Sequence, residues 1–190
     1  NTNEIQVEEI ISGANKEEIV IPKLRKITGE PTAGFVVFDR VVTVPIDVFG
    51  TTTNSRVATT SETVYRFMDR ATGHIYETTS RTISLTKITN TTIPKVYRAK
   101  FNNDGSVVVL AYISETGAVT HYAAGVRDYL ATTTADGVCR LVGQIIPGNI
   151  IDFDISPDGK NLAYTQARAD GFSDLIISSV SGTGARTLAV

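Results

Sequence analysis

His74 and His121 are the only histidines of the sequence and Cys139 its only cysteine, while Asp152, Asp154 and Asp158 gather three carboxylates within seven residues. A catalytic or metal-binding histidine pair needs further ligands or a nucleophile set against it, and these two lie in different settings. Both read as strand histidines facing solvent or a satisfied core. Cys139 sits in the apolar run Val138-Cys-Arg-Leu-Val142, where a small buried hydrophobe is expected; a thiolate favoured by Arg140 is the alternative. Asp152 and Asp154 are two apart, so one strand face presents both, a pair of oxygens that could serve calcium. Pro157 breaks the ligand and glycine rhythm of an EF-hand loop, which favours turn capping and a solvated strand face. No Gly-Xaa-Ser-Xaa-Gly elbow occurs, so the chain lacks the mark of a serine hydrolase. Gly182-Thr-Gly184 is followed by neither Lys-Ser/Thr nor a helical pattern and reads as a hairpin connection, not a phosphate loop. Lys23, Arg25 and Lys26 alternate with Leu24 and Ile27 without aromatic residues to stack bases, and read as one polar strand face. Asn90-Thr91-Thr92 has the form of a glycosylation acceptor. No catalytic residue, metal site or cofactor is expected.

What must position these residues follows from composition. The 190 residues (20.4 kDa) are 42% hydrophobic and 20% charged, enough for one ordinary domain or two small ones. Eighteen basic against 20 acidic residues leave a charge of -2, which supplies no general attraction to nucleic acid or an anionic membrane. A single cysteine excludes a disulfide within the chain. No stretch approaches the roughly 20 apolar residues of a membrane span. Residues 1–20 carry five glutamates and one lysine, and read as an acidic leader or linker preceding a domain over 21–190. Twenty-six threonines, with many Val and Ile, favour pleated strands over helices and predict an all-β protein.

A repeat then organises the chain. Residues 96–122 run as an apolar stretch, Asn-Asp-Gly, a second apolar stretch, Glu-Thr-Gly and a third; residues 150–178 repeat that order with Pro-Asp-Gly and Ala-Asp-Gly. Asp104 to Asp158, Gly105 to Gly159, and Gly117 to Gly171 are each 54 apart. These six residues are expected to be structural turns, because Asp bonds its own turn backbone and Gly accepts a positive φ angle. An earlier, degenerate copy runs from Val64 to Glu77 through the turn Arg70–Gly73. Its first turn is occupied by Thr60-Ser61-Glu62, its first strand is displaced to Gly34–Phe38, and Thr43–Thr60 is a Thr-rich insertion. Fourth strands are expected at Ile83–Ile88, Arg140–Ile145 and Arg186–Val190, with Lys23–Thr28 an outer strand that has lost its own unit. Four antiparallel strands recurring every 40 to 50 residues describe the blade of a β-propeller. The expected fold is a partial propeller of about three four-stranded blades, at about 29–89, 94–146 and 149–190, left open or completed by further chain.

Ile155-Ser-Pro-Asp-Gly-Lys-Asn-Leu-Ala-Tyr164 resembles the WD40-like repeat of the TolB type, often called PD40, also found in propellers of prolyl-oligopeptidase relatives. Phe101-Asn-Asn-Asp-Gly-Ser-Val-Val-Val-Leu110 is a looser copy. The resemblance covers roughly residues 24–190 and is specific over 150–165; the absence of Trp makes a eukaryotic-type WD40 protein a poorer match. It implies a bacterial binding platform, extracytoplasmic in the periplasm or cell envelope, with no catalytic residue in the propeller. Three blades fall short of the roughly four to eight of a closed ring, so open edges and one apolar face, including Leu162, Tyr164 and Leu175–Ile177, are expected to meet a protein partner or remaining blades. The leading reading is a non-enzymatic protein-interaction module without a nucleic-acid partner. The alternatives are a structural subunit of an envelope layer or filament completed by neighbouring chains, and the propeller portion of a prolyl-oligopeptidase-like peptidase.

Overall fold

A computed structural model describes residues 24–46, 56–126 and 140–189, all strand, turn or irregular backbone. The acidic leader, the insertion tip Gly50–Ser55 and Cys139 lie outside the described residues. Among the described residues, twelve strands form three four-stranded antiparallel meanders. The first sheet holds β1 (Thr32–Ile46), β2 (Arg56–Asp69), β3 (Ile75–Thr79) and β4 (Thr86–Lys87). The second holds β5 (Val96–Phe101), β6 (Val107–Ile113), β7 (Val119–Gly125) and β8 (Val142–Ile146). The third holds β9 (Ile150–Ile155), β10 (Asn161–Ala167), β11 (Ser173–Ser179) and β12 (Arg186–Ala189). The sheets stack face to face in chain order, so the protein is all-β with the architecture of a partial propeller.

Strand sequence reports position in this stack. β6 reads Val-Val-Val-Leu-Ala-Tyr-Ile, and Val108, Val109, Leu110 and Ala111 are all buried, because the middle sheet is covered on both faces and neither parity of side chain meets water. Val108 and Leu110 join Met68, Ile75 and Ile88 in one core cluster, between sheets one and two. Val109 and Ala111 join Phe153, Leu162, Tyr164 and Ile176 in the other, between sheets two and three. At the inner edge β1 approaches β5 so closely that a Cβ on Gly34 would stand 2.0 Å from the Ala99 carbonyl oxygen, a place only glycine can hold.

Four expectations are corrected. Thr60-Ser61-Glu62 is no turn: β1 and β2 pair without interruption from Phe35↔Phe67 out to Ile46↔Arg56, since Val and Thr on both sides suit a pleated ladder. Within the expected insertion, Thr43–Ile46 and Arg56–Thr60 belong to this ladder. Leu24–Thr28 forms no strand; β4 is two residues long, and Arg25 instead reaches the upper end of β3, donating to Thr78 Oγ1 (3.0 Å) and the Thr79 carbonyl (3.1 Å). The first fourth strand is likewise shorter than Ile83–Ile88, pairing only Thr86 and Lys87. Finally, Leu162, Tyr164 and Ile176 are buried against the middle sheet, and only Leu175 and Ile177 face outward from the last one, because alternate residues of a strand cannot share a face.

Candidate interaction surfaces

The Asp-Gly turns join one blade to the next. In the β5–β6 turn the Asp104 carboxylate accepts from the Ser106 backbone (2.9 Å) and from Asn102 Nδ2 (2.7 Å), while Asn102 Oδ1 accepts from the Val107 N–H (2.9 Å). In the β9–β10 turn Asp158 accepts from the Lys160 backbone (3.1 Å) and the Ser156 hydroxyl (2.6 Å), while Ser156 Oγ accepts from the Asn161 N–H (2.9 Å). Asn102 and Ser156 thus hold equivalent places, also 54 apart. Burial works against the Asp104 charge, but bonds from Ser106 and Asn102 outweigh it and lower its pKa. The Ser156 hydroxyl, then the Lys160 backbone, lower that of Asp158.

Gly105 and Gly159 have φ of 69° and 70°, where a side chain is strained. Each also packs on the preceding blade. A Cβ on Gly105 would meet Phe38 at 2.9 Å and Arg66 at 3.1 Å, and one on Gly159 would meet Asn102 at 2.8 Å. Arg66 Nη1 donates to the Gly105 carbonyl (2.7 Å), and the Asn103 N–H to the Pro157 carbonyl (3.1 Å). Gly117 and Gly171, with φ of 82° and 86° and open space around them, only turn the chain. Gly182 (φ 72°) and Gly184 (φ 66°) lie in the β11–β12 hairpin connection.

The sequence reading overlooked a buried ion network on the face where blade one meets blade two. Arg66 and Glu77, opposite one another on β2 and β3, are 4% and 2% exposed and pair at 2.7 Å. Arg40 bridges Glu77 and Glu62, each at 2.8 Å, and Arg66 lies 5.0 Å from the centre of the Phe38 ring. Burial disfavours the Arg40 charge, but hydrogen bonds and attraction from Glu62 and Glu77 raise its pKa on balance. The available signal was parity, since Arg66 lies between Val64 and Met68 on one strand face.

Glu77, His121 and Leu175 each stand four residues after a turn glycine, opposite Arg66, Ala111 and Thr165. The same place in successive blades therefore holds an ion pair, a histidine and an apolar residue. His121 is 3% exposed, its ring meets Phe153 edge-on at 5.5 Å, and its Nδ1 finds no hydrogen-bond partner among the described residues. It is buried but not satisfied. Arg98 lies over the same Phe153 ring at 4.9 Å and pairs with Asp152, while Lys100 approaches Asp154 at 3.5 Å. The Phe153 N–H, bonding Asp152, is the main cause of a lowered Asp152 pKa; desolvation opposes it and Arg98 adds to it. Asp152 and Asp154 thus face cations along the inner edge, and no group of three or more His, Cys, Asp or Glu among the described residues is placed to hold a metal. His74 is half-buried beside the β2–β3 turn, 3.0 Å from Thr92 Oγ1.

Burial, then the Arg98 charge, lower the His121 pKa. The unfolded chain takes up this proton near the ordinary value of about 6.5 and the folded chain only below it. Stability from the neutral ring is therefore complete above that pH and is lost as pH falls towards the depressed folded value. Urea unfolding of wild type and His121→Leu between pH 7.5 and 5 is expected to show a steeper acid loss in wild type. Parallel curves would refute this role. The difference between the two proteins isolates His121 from His74, whose pKa burial and Lys87 also lower.

Both ends of the stack expose apolar side chains among the described residues, although Arg25 covers Thr78 at the β3 end of sheet one. The outward face of sheet one carries Phe35 (72% exposed), Val37 (47%) and Val41 (71%) beside Tyr65 and the stacked pair Phe67–Tyr76. The outward face of sheet three carries Leu175 (37% exposed) with Ala163, Thr165 and Ile177, and next to Asp152 and Asp154 it forms a groove of about 340 Å³. Isolated apolar residues on a surface are ordinary, but rows on sheet faces mark contact sites. Among the described residues no helix is long and apolar enough to cross a membrane.

No protein-family model and no curated protein matches the chain. A solved structure described as a TolB from Agrobacterium tumefaciens is similar at 15% identity, over 81% of this chain and 70% of that one, with a TM-score of 0.29. The fold class rests on the three sheets themselves.

Proposed function

We propose that this chain is a non-enzymatic protein-interaction module, whose outward sheet faces are its contact surfaces, within an extracytoplasmic bacterial protein. One observation carries this reading: among the described residues, the stack buries both faces of its middle sheet and exposes apolar side chains, Phe35, Val37 and Val41 at one end and Leu175 at the other. The turns are engaged in holding blades together, and the carboxylates of the inner edge are engaged with Arg98 and Lys100, so neither is poised for chemistry. The resemblance of Ile155–Tyr164 to TolB-type repeats supports the platform role and the location.

The test is a photoreactive residue placed in the host cell at position 35 or 175, with position 162 as the buried control. Cross-links to protein from 35 and 175, but not from 162, are expected. Absence of cross-links at both outward positions in the expressed, folded protein would contradict the reading.

A further inference from the structure

The place that holds Glu77 at the seam between blades one and two holds His121 at the seam between blades two and three. The first of these groups is paired, because the Glu77 carboxylate meets both Arg66 and Arg40. The second is alone: His121 is 3% exposed and its Nδ1 has no hydrogen-bond partner among the described residues. Ala111 of β6 and Ile146 of β8 lie beside it in the sheet, and Phe153 of β9 meets its ring edge-on from the facing blade. Tyr164 of β10 and Ile176 of β11 belong to the apolar cluster at this seam. The charged groups here, among the described residues, are Arg98 and Lys100 of β5 and Asp152 and Asp154 of β9. Arg98 lies over the same Phe153 ring that His121 touches. The two carboxylates are 61% and 68% exposed and each already faces a cation. A proton on His121 therefore adds a second positive charge around one aromatic ring, in an apolar setting that offers it no acceptor.

We propose that the seam between blades two and three is an acid-operated switch: protonation of His121 parts blade three from blade two, while the ion network keeps blades one and two together. The switch does not depend on what meets the outward faces, because every residue it uses lies between two described blades. With the seam closed, burial and then the Arg98 charge favour the neutral ring. With the seam open, the ring meets water and takes up its proton near the ordinary value of about 6.5. Closure is therefore fully supported above that pH. It weakens as pH falls below it, by about ten-fold for each unit, until the closed form itself titrates. Parting uncovers Phe153, Leu162, Tyr164 and Ile176 on one side and Val109 and Ala111 on the other. Mild acid thus presents an apolar surface that neutral pH hides, the kind of surface that marks a contact site.

Strand β6 supplies the test, because Val108 and Val109 are both fully buried and face opposite seams. Val108→Cys and Val109→Cys, each combined with Cys139→Ser, are labelled with methyl methanethiosulfonate between pH 7.5 and 5.5. Dividing the rate at 109 by the rate at 108 cancels the pH dependence of thiol chemistry, and unfolding of the whole chain exposes both positions alike. With His121 present the ratio is expected to rise about ten-fold from pH 7.5 to 5.5, the increase that one pH unit below 6.5 provides. With His121→Leu it should stay constant, and His121→Gln serves if the leucine variant does not fold. The only other histidine, His74, stays in place throughout, its ring against Tyr76 of the first blade. A constant ratio with His121 present, or an equal rise without it, would overturn the proposal.

Discussion

Glu77→Ala is expected to lower the unfolding free energy by about 3–5 kcal/mol, the cost of removing one member of a buried ion pair. Glu77 is 2% exposed and accepts hydrogen bonds from Arg66 Nε (3.2 Å), Arg66 Nη2 (2.7 Å) and Arg40 Nη1 (2.8 Å). Its loss takes a carboxylate from two guanidinium groups at once. Arg66 keeps its bond to the Gly105 carbonyl, but loses the buried carboxylate that faces it across β2 and β3. For a domain whose whole stability is about 5–15 kcal/mol, the loss is a large fraction. The midpoint in urea should fall with the slope unchanged. The pair replacement Arg66→Met with Glu77→Leu should be milder than Glu77→Ala, because it removes the desolvation cost along with the attraction. A loss below about 1 kcal/mol for Glu77→Ala would show that the network is solvated and does not join the first two blades.

The sequence carries the repeat wherever turn chemistry is strict. Asp104-Gly105 and Asp158-Gly159 demand a left-handed glycine and a capping carboxylate, and these requirements leave a fixed spacing that can be read directly. The first blade lacks that turn, and there the reading went astray: Thr60-Ser61-Glu62 has turn-like composition, yet the facing Arg40, Val41 and Val42 hold it in the ladder. Lys23–Thr28 had the alternation of a strand, but alternation says nothing of whether a neighbouring edge has room to pair. The ion network was hidden for a related reason. Arg40, Glu62, Arg66 and Glu77 are spread over 38 positions, and only strand register brings them together. Leu162 and Tyr164 read like Leu175 in sequence, because hydrophobicity alone does not tell which side of a sheet has a neighbour.

Two adjacent residues of β11 lie on opposite faces of the last sheet. Ile176 (9% exposed) packs with Phe153, Leu162 and Tyr164 against the middle blade, whereas its neighbour Leu175 (37%) lies on the uncovered face. The two adjacent residues should therefore respond very differently to the same substitution. Unfolding free energies of Ile176→Asp and Leu175→Asp test this directly. The account predicts a loss of more than about 3 kcal/mol for Ile176→Asp, which buries a carboxylate among apolar side chains. It predicts a change within about 1 kcal/mol for Leu175→Asp, which meets water. Equal losses, or the larger loss at Leu175, would contradict a three-blade stack whose last face is left open for a partner.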